Sequence, residues 1–242
     1  MKNMFSSMRL LSVAGFVAIA VLLAACSKFN DDNNSNTPVA ALMAFNLAPD
    51  QAGIGITLAG NNLTNSALAY TNYTGTYQLI YPGSRNVESY NVTNDSSLAK
   101  GDYNFAQDKY YSLFVTGANG SYSNVITQDN FDSLVKITGK SHIRYINAIA
   151  DSAKPTVTIA SAATNVFDDN VSFNAVSDFK VADAGNVTAS VNNNGNINAS
   201  RTISLEEGKV YTVLLVGQPG ATDSARKVQI KYITNGSLSN TQ

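Results

Sequence analysis

The sequence predicts an all-β protein with two tandem immunoglobulin-like antiparallel β-sandwich domains after a cleaved signal peptide. Its apolar segments are short, they are separated by turn residues, and the whole pattern occurs twice along the chain. Only 14% of the 242 residues are charged, against about 25% in an average globular protein. Uncharged polar residues, including 29 Asn, take their place, and these favour turns and short strands.

The predicted organisation has six parts. They are a signal peptide over 1–25, a flexible tether over 26–38, a first sandwich domain over 39–127, a linker over 128–140, a second sandwich domain over 141–236 and a tail over 237–242.

The amino terminus has the outline of a secretory signal. Lys2 and Arg9 are followed by an uncharged stretch over 10–25, and a basic segment before an apolar segment is typical of secretory signal peptides. At 1.5 Å per residue this stretch spans roughly 24 Å as a helix, less than the ~30 Å core of a bilayer. The sequence therefore favours a cleaved signal over a permanent anchor.

The end of this signal resembles a bacterial lipobox. Leu23, Ala24 and Ala25 precede Cys26, the only cysteine of the chain, and the resemblance implies cleavage before Cys26 and its acylation. The partner would then be a membrane, reached through the lipid, and no free thiol would remain for a disulfide or a metal.

The residues after Cys26 indicate a location in the cell envelope. Ser27 in place of Asp favours the outer membrane, and Lys28 with Asp31 and Asp32 loosely resembles the export signal of Bacteroidota lipoproteins. The expected location is the outer membrane, with the cell surface favoured over the periplasmic face. The Asn-rich and Asp-rich run that follows has too little apolar content to pack, which indicates a tether.

Short strands are indicated throughout the mature chain. Ile54, Ile56 and Leu58 alternate with small or polar residues, and such alternation is the pattern of a half-buried strand. About seven short strands per repeat predict an antiparallel sandwich. In the first repeat the predicted strands cover 42–46, 54–59, 77–81, 87–92, 110–116 and 123–127.

The mature chain repeats itself at an offset of about 100 residues. Three blocks align in order. They are 46–50 with 147–151, 77–83 with 179–185, and 111–117 with 211–217.

These blocks are similar to those of the bacterial family known as domain of unknown function 4397, which occurs in secreted and lipid-anchored proteins, often in tandem. Its motifs have the form Arg-aromatic-x-Asn…Asp and Tyr-Thr-Val…Gly, and the resemblance covers nearly all of 39–236. The first repeat departs from it at Met43, where the family's Arg would fall. The resemblance implies structural roles, and no activity, for Asn46, Asp50, Tyr111, Gly117, Arg144, Asn147, Asp151, Tyr211 and Gly217.

The chain has few of the residues that most catalytic mechanisms require. His142 is the only histidine, whereas a hydrolase triad needs a histidine between a serine and a carboxylate, and a zinc site needs several His or Cys ligands. We therefore expect no enzyme activity and no cofactor, with a hydrolase kept as a second alternative. Any metal would be calcium held by oxygens, for which the candidates are 129–132 and 168–170.

We expect no binding to nucleic acid. Without Lys2 and Arg9, 14 basic residues face 17 acidic ones, and these basic residues are scattered along the chain. Binding to nucleic acid depends mostly on neutralising phosphates.

Tyrosines are concentrated in the first repeat, where nine of the 12 lie between Tyr70 and Tyr122. On an exposed sheet face, tyrosines can stack on sugar rings, although tyrosine also suits cross-strand pairs on any sheet. The sequence thus predicts a non-catalytic binding or structural module whose partners are polysaccharide or other envelope proteins. The first alternative is a surface glycan-binding accessory lipoprotein that uses Tyr73, Tyr81 and Tyr90.

Overall fold

A computed structural model describes residues 37–151, 153–162 and 164–239. Within these residues the chain forms strands and one short 3-10 turn, Phe131–Ser133, so the predicted all-β class is confirmed. The first repeat contains β1 (Ala40–Asn46), β2 (Gly53–Leu58), β3 (Asn61–Asn62), β4 (Leu68–Ala69), β5 (Gln78–Ile80), β6 (Gly83–Asn91), β7 (Ser97–Phe105), β8 (Tyr110–Ala118) and β9 (Ser121–Gln128). The second contains β10 (Lys140–Asn147), β11 (Thr156–Ala160), β12 (Asn165–Asn170), β13 (Lys180–Asp183), β14 (Gly185–Asn192), β15 (Asn198–Leu205), β16 (Lys209–Val216) and β17 (Gln229–Ser237).

Each repeat is a sandwich of two sheets. In the first repeat the inner sheet has the order β5-β1-β8-β9 and the outer sheet the order β3-β2-β6-β7, with β4 also paired to β2. The second repeat has an inner sheet β13-β10-β16-β17 and an outer sheet β12-β11-β14-β15. The two sandwiches therefore share one topology.

One pairing in each repeat differs from a purely antiparallel sheet. Strand β1 runs parallel to β8, and β10 runs parallel to β16. Parallel neighbours need a crossover connection, and the strands between β1 and β8 provide it. The first strand of each repeat thus lies in the middle of its inner sheet.

Each sandwich has its own apolar core between its two sheets. Ile54 and Ile56 are buried in the first core, and Val157 and Ile159 are buried in the second. The period-2 alternation read from the sequence therefore identifies inward-facing side chains correctly.

A third apolar cluster joins the two inner sheets to each other. Strand β1 is buried along its whole length because its two faces pack against different partners, its own sandwich core and the second repeat. A strand covered on both faces has a continuous run of apolar residues and no alternation, as in AALMAFN. The cluster contains Met43, Phe45, Leu47, Phe114, Ile146, Ala148, Leu214, Val216 and Ile233.

Candidate functional site

The motif asparagines are the last residues of β1 and β10, and their side chains bind backbone carbonyls of other segments. Asn46 Nδ2 donates hydrogen bonds to the carbonyl oxygens of Gln51 and Leu68, at 3.0 and 2.9 Å. Asn147 Nδ2 donates in the same way to the carbonyl of Val171, at 3.1 Å. Both side chains are buried, so their amides satisfy backbone groups that would otherwise lack partners.

The motif tyrosines bind the loop before their own strand. Tyr111 Oη accepts a hydrogen bond from the amide of Ala106 at 2.9 Å, and Tyr211 Oη accepts one from the amide of Glu206 at 2.9 Å. These two bonds lie 100 residues apart in sequence, and they fix the alignment of the two repeats at this end of the sandwich.

The motif aspartates also bind nearby loops. Asp50 Oδ2 accepts hydrogen bonds from the amide of Asn119 at 2.7 Å and from the hydroxyl of Tyr122 at 2.8 Å. Asp151 Oδ1 accepts one from the amide of Ala153 at 2.7 Å.

The motif glycines Gly117 and Gly217 have φ angles of +109° and +118°.

A buried ion pair joins the two domains. Arg144, in the middle of β10, extends its side chain toward the first repeat, and its Nη1 lies 2.5 Å from Asp129 Oδ1. The two side chains are 2% and 0% exposed. Because such burial removes water from both charges, the pair depends on further hydrogen bonds for its stability.

Hydroxyl groups from both repeats surround this pair. Arg144 Nη2 donates to Ser112 Oγ at 2.8 Å, and Arg144 Nε donates to Thr212 Oγ1 at 3.0 Å. Ser112 pairs with Met43 on β1, as Thr212 pairs with Arg144 on β10. One guanidinium thus binds equivalent hydroxyl groups of both repeats.

Tyr77 completes this network. Its hydroxyl donates to Asp129 Oδ2 at 2.5 Å and accepts from Asn235 Nδ2 at 3.3 Å. Burial, reinforced by the Asp129 charge, raises the pKa of Tyr77 well above its ordinary value. The hydroxyl therefore stays protonated and serves as a donor.

The sequence signal for this interface was the departure at Met43. The sequence assigns Arg144 to a structural motif, but it offers its partner Asp129 only as part of the calcium candidate 129–132. The structure shows that Asp129 is the carboxylate which neutralises the one motif arginine.

The three tyrosines predicted to bind glycan lie in different places. Tyr73 stacks on Phe45, with ring centroids 5.4 Å apart, and packs against the cluster between the inner sheets. Tyr81 is 66% exposed and follows edge strand β5. Tyr90 lies on β6 of the outer sheet. The structure therefore does not bring the three together.

The interface also explains part of the excess of tyrosine in the first repeat. Tyr70, Tyr73 and Tyr77 all pack against the cluster between the inner sheets. The sequence places Tyr77 on one strand face with Leu79 and Tyr81, yet its hydroxyl belongs to the buried network whereas Leu79 is 67% exposed.

Tyr90 lies flat on the outer sheet of the first repeat. It pairs with Gly55 on β2, and a Cβ added to Gly55 would stand only 2.2 Å from the Tyr90 ring, so the ring covers the glycine. Glu88, two residues away, pairs with Lys100 of β7 at 3.0 Å. An ion pair and an aromatic ring therefore lie on the same stretch of this sheet.

A groove of about 360 Å³ opens on the other side of β7, between β7 and β9. The sequence had not singled it out. Its floor includes Asn124, whose Nδ2 donates to the carbonyls of Val87 and Ala99, and whose Oδ1 accepts from Ser89. The groove is lined by Val87, Ala99, Lys100, Gly101, Asp102, Tyr103, Tyr122, Ser123, Asn124 and Ile126.

Two tyrosine rings in the groove are held by neighbouring groups. Tyr122 Oη donates to Asp50 and accepts from Gln51 Nε2 at 2.6 Å. The ring of Tyr103 packs edge-on against Tyr111, with centroids 5.7 Å apart. Rings that are fixed in advance lose little conformational entropy on binding.

His142 is buried in β10, and its Nδ1 has no hydrogen-bond partner among the described residues. Burial lowers its pKa. No serine or carboxylate within the described part of the chain is hydrogen-bonded to this nitrogen, so the geometry of a hydrolase triad is not formed around it.

His142 is expected to make folding pH-dependent. The unfolded histidine titrates near about pH 6.5, whereas the folded one has a lower pKa, so the unfolded state binds a proton first as the pH falls. The free energy of unfolding should therefore decrease from about pH 7.5 to 5.5. His142→Asn should have a flatter profile in urea denaturation, and an unchanged slope in that variant would contradict the assignment.

The two calcium candidates hold no preformed site. Asp129 is committed to Arg144, and Asp169 Oδ2 accepts a hydrogen bond from Tyr145 at 3.1 Å. Within the described residues no group of three or more His, Cys, Asp or Glu side chains is placed to hold a metal ion.

The lipidation and cleavage residues Leu23, Ala24, Ala25 and Cys26 lie outside the described residues. No helix in the described ranges has the length and apolar character needed to cross a membrane.

The family model for the domain of unknown function DUF4397 matches residues 40–154 and 141–235. No curated protein matches the sequence.

Solved structures with some likeness are distant. A CBM26-family module of Eubacterium rectale Amy13K, solved with maltoheptaose, is 13% identical with a TM-score of 0.23, over 83% of this chain and 98% of that one. A streptococcal virulence factor described as binding alpha-glucan is 11% identical with a TM-score of 0.24, over 76% and 95%. A fimbrial assembly protein of Parabacteroides distasonis is 11% identical with a TM-score of 0.23, over 81% and 94%. Likenesses with TM-scores this low do not bear on the function of the chain.

Proposed function

The chain belongs to the DUF4397 family, with two tandem matches, and we propose that it is a lipid-anchored, non-catalytic glycan-binding protein of the bacterial outer membrane. In this proposal Cys26 carries the lipid, residues 26–38 form the tether, and the first sandwich binds polysaccharide at the cell surface.

One observation carries the glycan proposal: the ring of Tyr90 lies flat over Gly55 on the outer sheet of the first repeat. A flat aromatic ring on a sheet face gives a sugar ring an apolar surface for stacking. The Glu88 carboxylate and the Lys100 ammonium, paired nearby, supply hydrogen-bonding groups for hydroxyls. Tyr81 adds an exposed ring elsewhere on the same repeat.

Binding can be tested by affinity electrophoresis of residues 27–242. The native gels contain starch, xyloglucan, galactomannan, yeast mannan, alginate or polygalacturonate, and a gel without polysaccharide is the reference. We expect at least one neutral polysaccharide to retard the protein. Migration unchanged in every gel would overturn the glycan proposal.

The contribution of Tyr90 can be measured with the same polysaccharide. An aromatic stacking contact is worth about 0.5–1.5 kcal/mol, which corresponds to roughly a 2- to 12-fold loss of affinity in Tyr90→Ala. Val181→Ala, which shortens an exposed apolar side chain on β13 of the second repeat, is the control and should bind like the unmodified protein. Equal affinity for both variants would show that the Tyr90 face is not used.

Membrane attachment has a separate test. Cells that express the full chain with radiolabelled palmitate should label the protein, and Cys26→Ser should remove both the label and its membrane association. Label retained by Cys26→Ser would contradict lipidation at this residue. Proteinase K added to intact cells should degrade a surface protein and leave a periplasmic one intact.

A further inference from the structure

The groove of the first repeat has a counterpart in the second repeat. The equivalent hydrogen bonds of Tyr111 and Tyr211 set the offset at 100 residues on this side of the sandwich. Gly101 of β7, which pairs with Val87, therefore corresponds to Arg201 of β15, which pairs with Ala189. A glycine and an arginine occupy the same place in the two sandwiches.

Arg201 closes the opening in the second repeat with its own side chain. Its Nη1 donates to the carbonyl oxygen of Ile230 on β17 at 2.9 Å. Its guanidinium carbon lies 4.9 Å from the centre of the Tyr232 ring. The side chain thus bridges the two edge strands β15 and β17.

The first repeat leaves the same place open. A Cβ added to Gly101 would meet no atom within 4 Å, and the groove of about 360 Å³ lies beside it. Ile126 stands where Tyr232 stands in the second repeat, because Ile126 pairs with Leu113 as Tyr232 pairs with Val213. The volume is within the usual range for small-ligand pockets.

The lining indicates the chemistry of an occupant. Tyr103 and Tyr122 offer ring surfaces. Lys100 is paired with Glu88, and Asp102 accepts a hydrogen bond from Asn86 at 2.8 Å, so both charged side chains of the lining already have partners and the groove favours neither an anion nor a cation. In the second repeat the equivalent place holds the guanidinium of Arg201, a planar group with hydrogen-bond donors along its edge. A pyranose ring shares these features, since it has an apolar face and a rim of hydroxyls.

We propose that the groove between β7 and β9 is a saccharide subsite that takes neutral pyranose residues, and that Arg201 occludes the corresponding place in the second repeat. This inference rests on the proposed glycan-binding function and gives it a second contact site. Lys100 borders both the groove and the Tyr90 face, so one polysaccharide chain can contact both by passing over β7.

Gly101→Arg tests the inference directly, because it copies the second repeat into the first. In affinity gels with the neutral polysaccharide that retards residues 27–242 most strongly, the variant should lose at least about tenfold in affinity. Gly195→Arg, at the exposed tip of the β14–β15 hairpin, adds the same charge elsewhere and should bind like the unmodified protein. Thermal melting of both variants checks that they are folded.

A second set of variants keeps the test valid if Gly101→Arg does not fold. Asp102→Ala changes a side chain at the groove that has no part in the proposed Tyr90 contact, and it should weaken binding severalfold. Arg201→Gly opens the second repeat and should leave binding equal or stronger.

The outcomes separate this inference from the proposed function. Undiminished binding by folded Gly101→Arg, or by Asp102→Ala, would overturn the groove and leave glycan binding in place. Retardation by alginate or polygalacturonate alone would contradict a neutral saccharide. If no polysaccharide retards the unmodified protein, both proposals fail.

Discussion

Arg144→Met is expected to lower the free energy of unfolding by about 3–5 kcal/mol, the cost of breaking a buried ion pair by removing one partner. The Asp129 carboxylate, 0% exposed, would be left in the interface without its cationic partner. Methionine is the residue at the equivalent position of the first repeat, Met43, so its size suits this environment. Urea denaturation of residues 27–242 measures the change.

Two further variants show that the effect comes from the charge. Asp129→Asn combined with Arg144→Met removes both charges and should recover most of the lost stability, because Asn and Met are the residues that the structure has at the corresponding places, Asn235 and Met43. Lys109→Met breaks the exposed pair with Asp132 and should leave the free energy of unfolding nearly unchanged, because solvent screens exposed ion pairs. A double variant as unstable as Arg144→Met alone would contradict this account.

Gly117→Ala is expected to destabilise the protein by roughly 2–4 kcal/mol. Gly117 has a φ of +109°, a backbone conformation that costs a residue with a Cβ on the order of 1–3 kcal/mol. The added Cβ would also lie 2.1 Å from the carbonyl oxygen of Ser121, and this backbone atom cannot move without distorting the β8–β9 hairpin. Thermal and urea denaturation measure the loss.

Gly217→Ala should behave in the same way, because its Cβ would lie 2.4 Å from the carbonyl oxygen of Lys227. The matched control is Gly101→Ala, whose Cβ would enter open space and which should change stability by less than about 0.5 kcal/mol. Equal stability of Gly117→Ala and Gly101→Ala would show that the motif glycine is not needed for the hairpin.

The strands with alternating residues could be predicted from the sequence. The sequence predicts strand β2 over 54–59, and the strand lies at Gly53–Leu58. The prediction works because Ile54, Ile56 and Leu58 alternate with residues that face away from the core. Strand β7 was missed. Its sequence, SLAKGDYNF, contains few apolar residues since it is an edge strand.

The pairing of the two inner sheets could not be predicted from residue patterns. The apolar run of β1 indicates burial on both faces, but it does not identify what covers the second face. The Asp129–Arg144 pair joins residues from different repeats, and it uses a position at which the second repeat has Arg and the first has Met. The sequence predicts Tyr73, Tyr81 and Tyr90 as glycan contacts, whereas the structure places Tyr73 at the interface, Tyr81 after edge strand β5 and Tyr90 on the outer sheet.

The groove was missed for a related reason. Gly101 is a single glycine in a polar edge strand, and its significance appears only when Arg201 is seen to bridge β15 and β17 at the equivalent place. The sequence shows the offset of 100 residues, and so it aligns Gly101 with Arg201. It does not show that the Arg201 side chain lies across the second groove.

Hydrogen exchange locates the binding surface most directly. Amide exchange of residues 27–242 is followed by mass spectrometry with and without the neutral polysaccharide that gives the strongest retardation. The account expects slower exchange in peptides that cover β7 and β9, and no change in those that cover β15 and β17. Protection confined to the second repeat, or no protection anywhere, would contradict a binding site on the first.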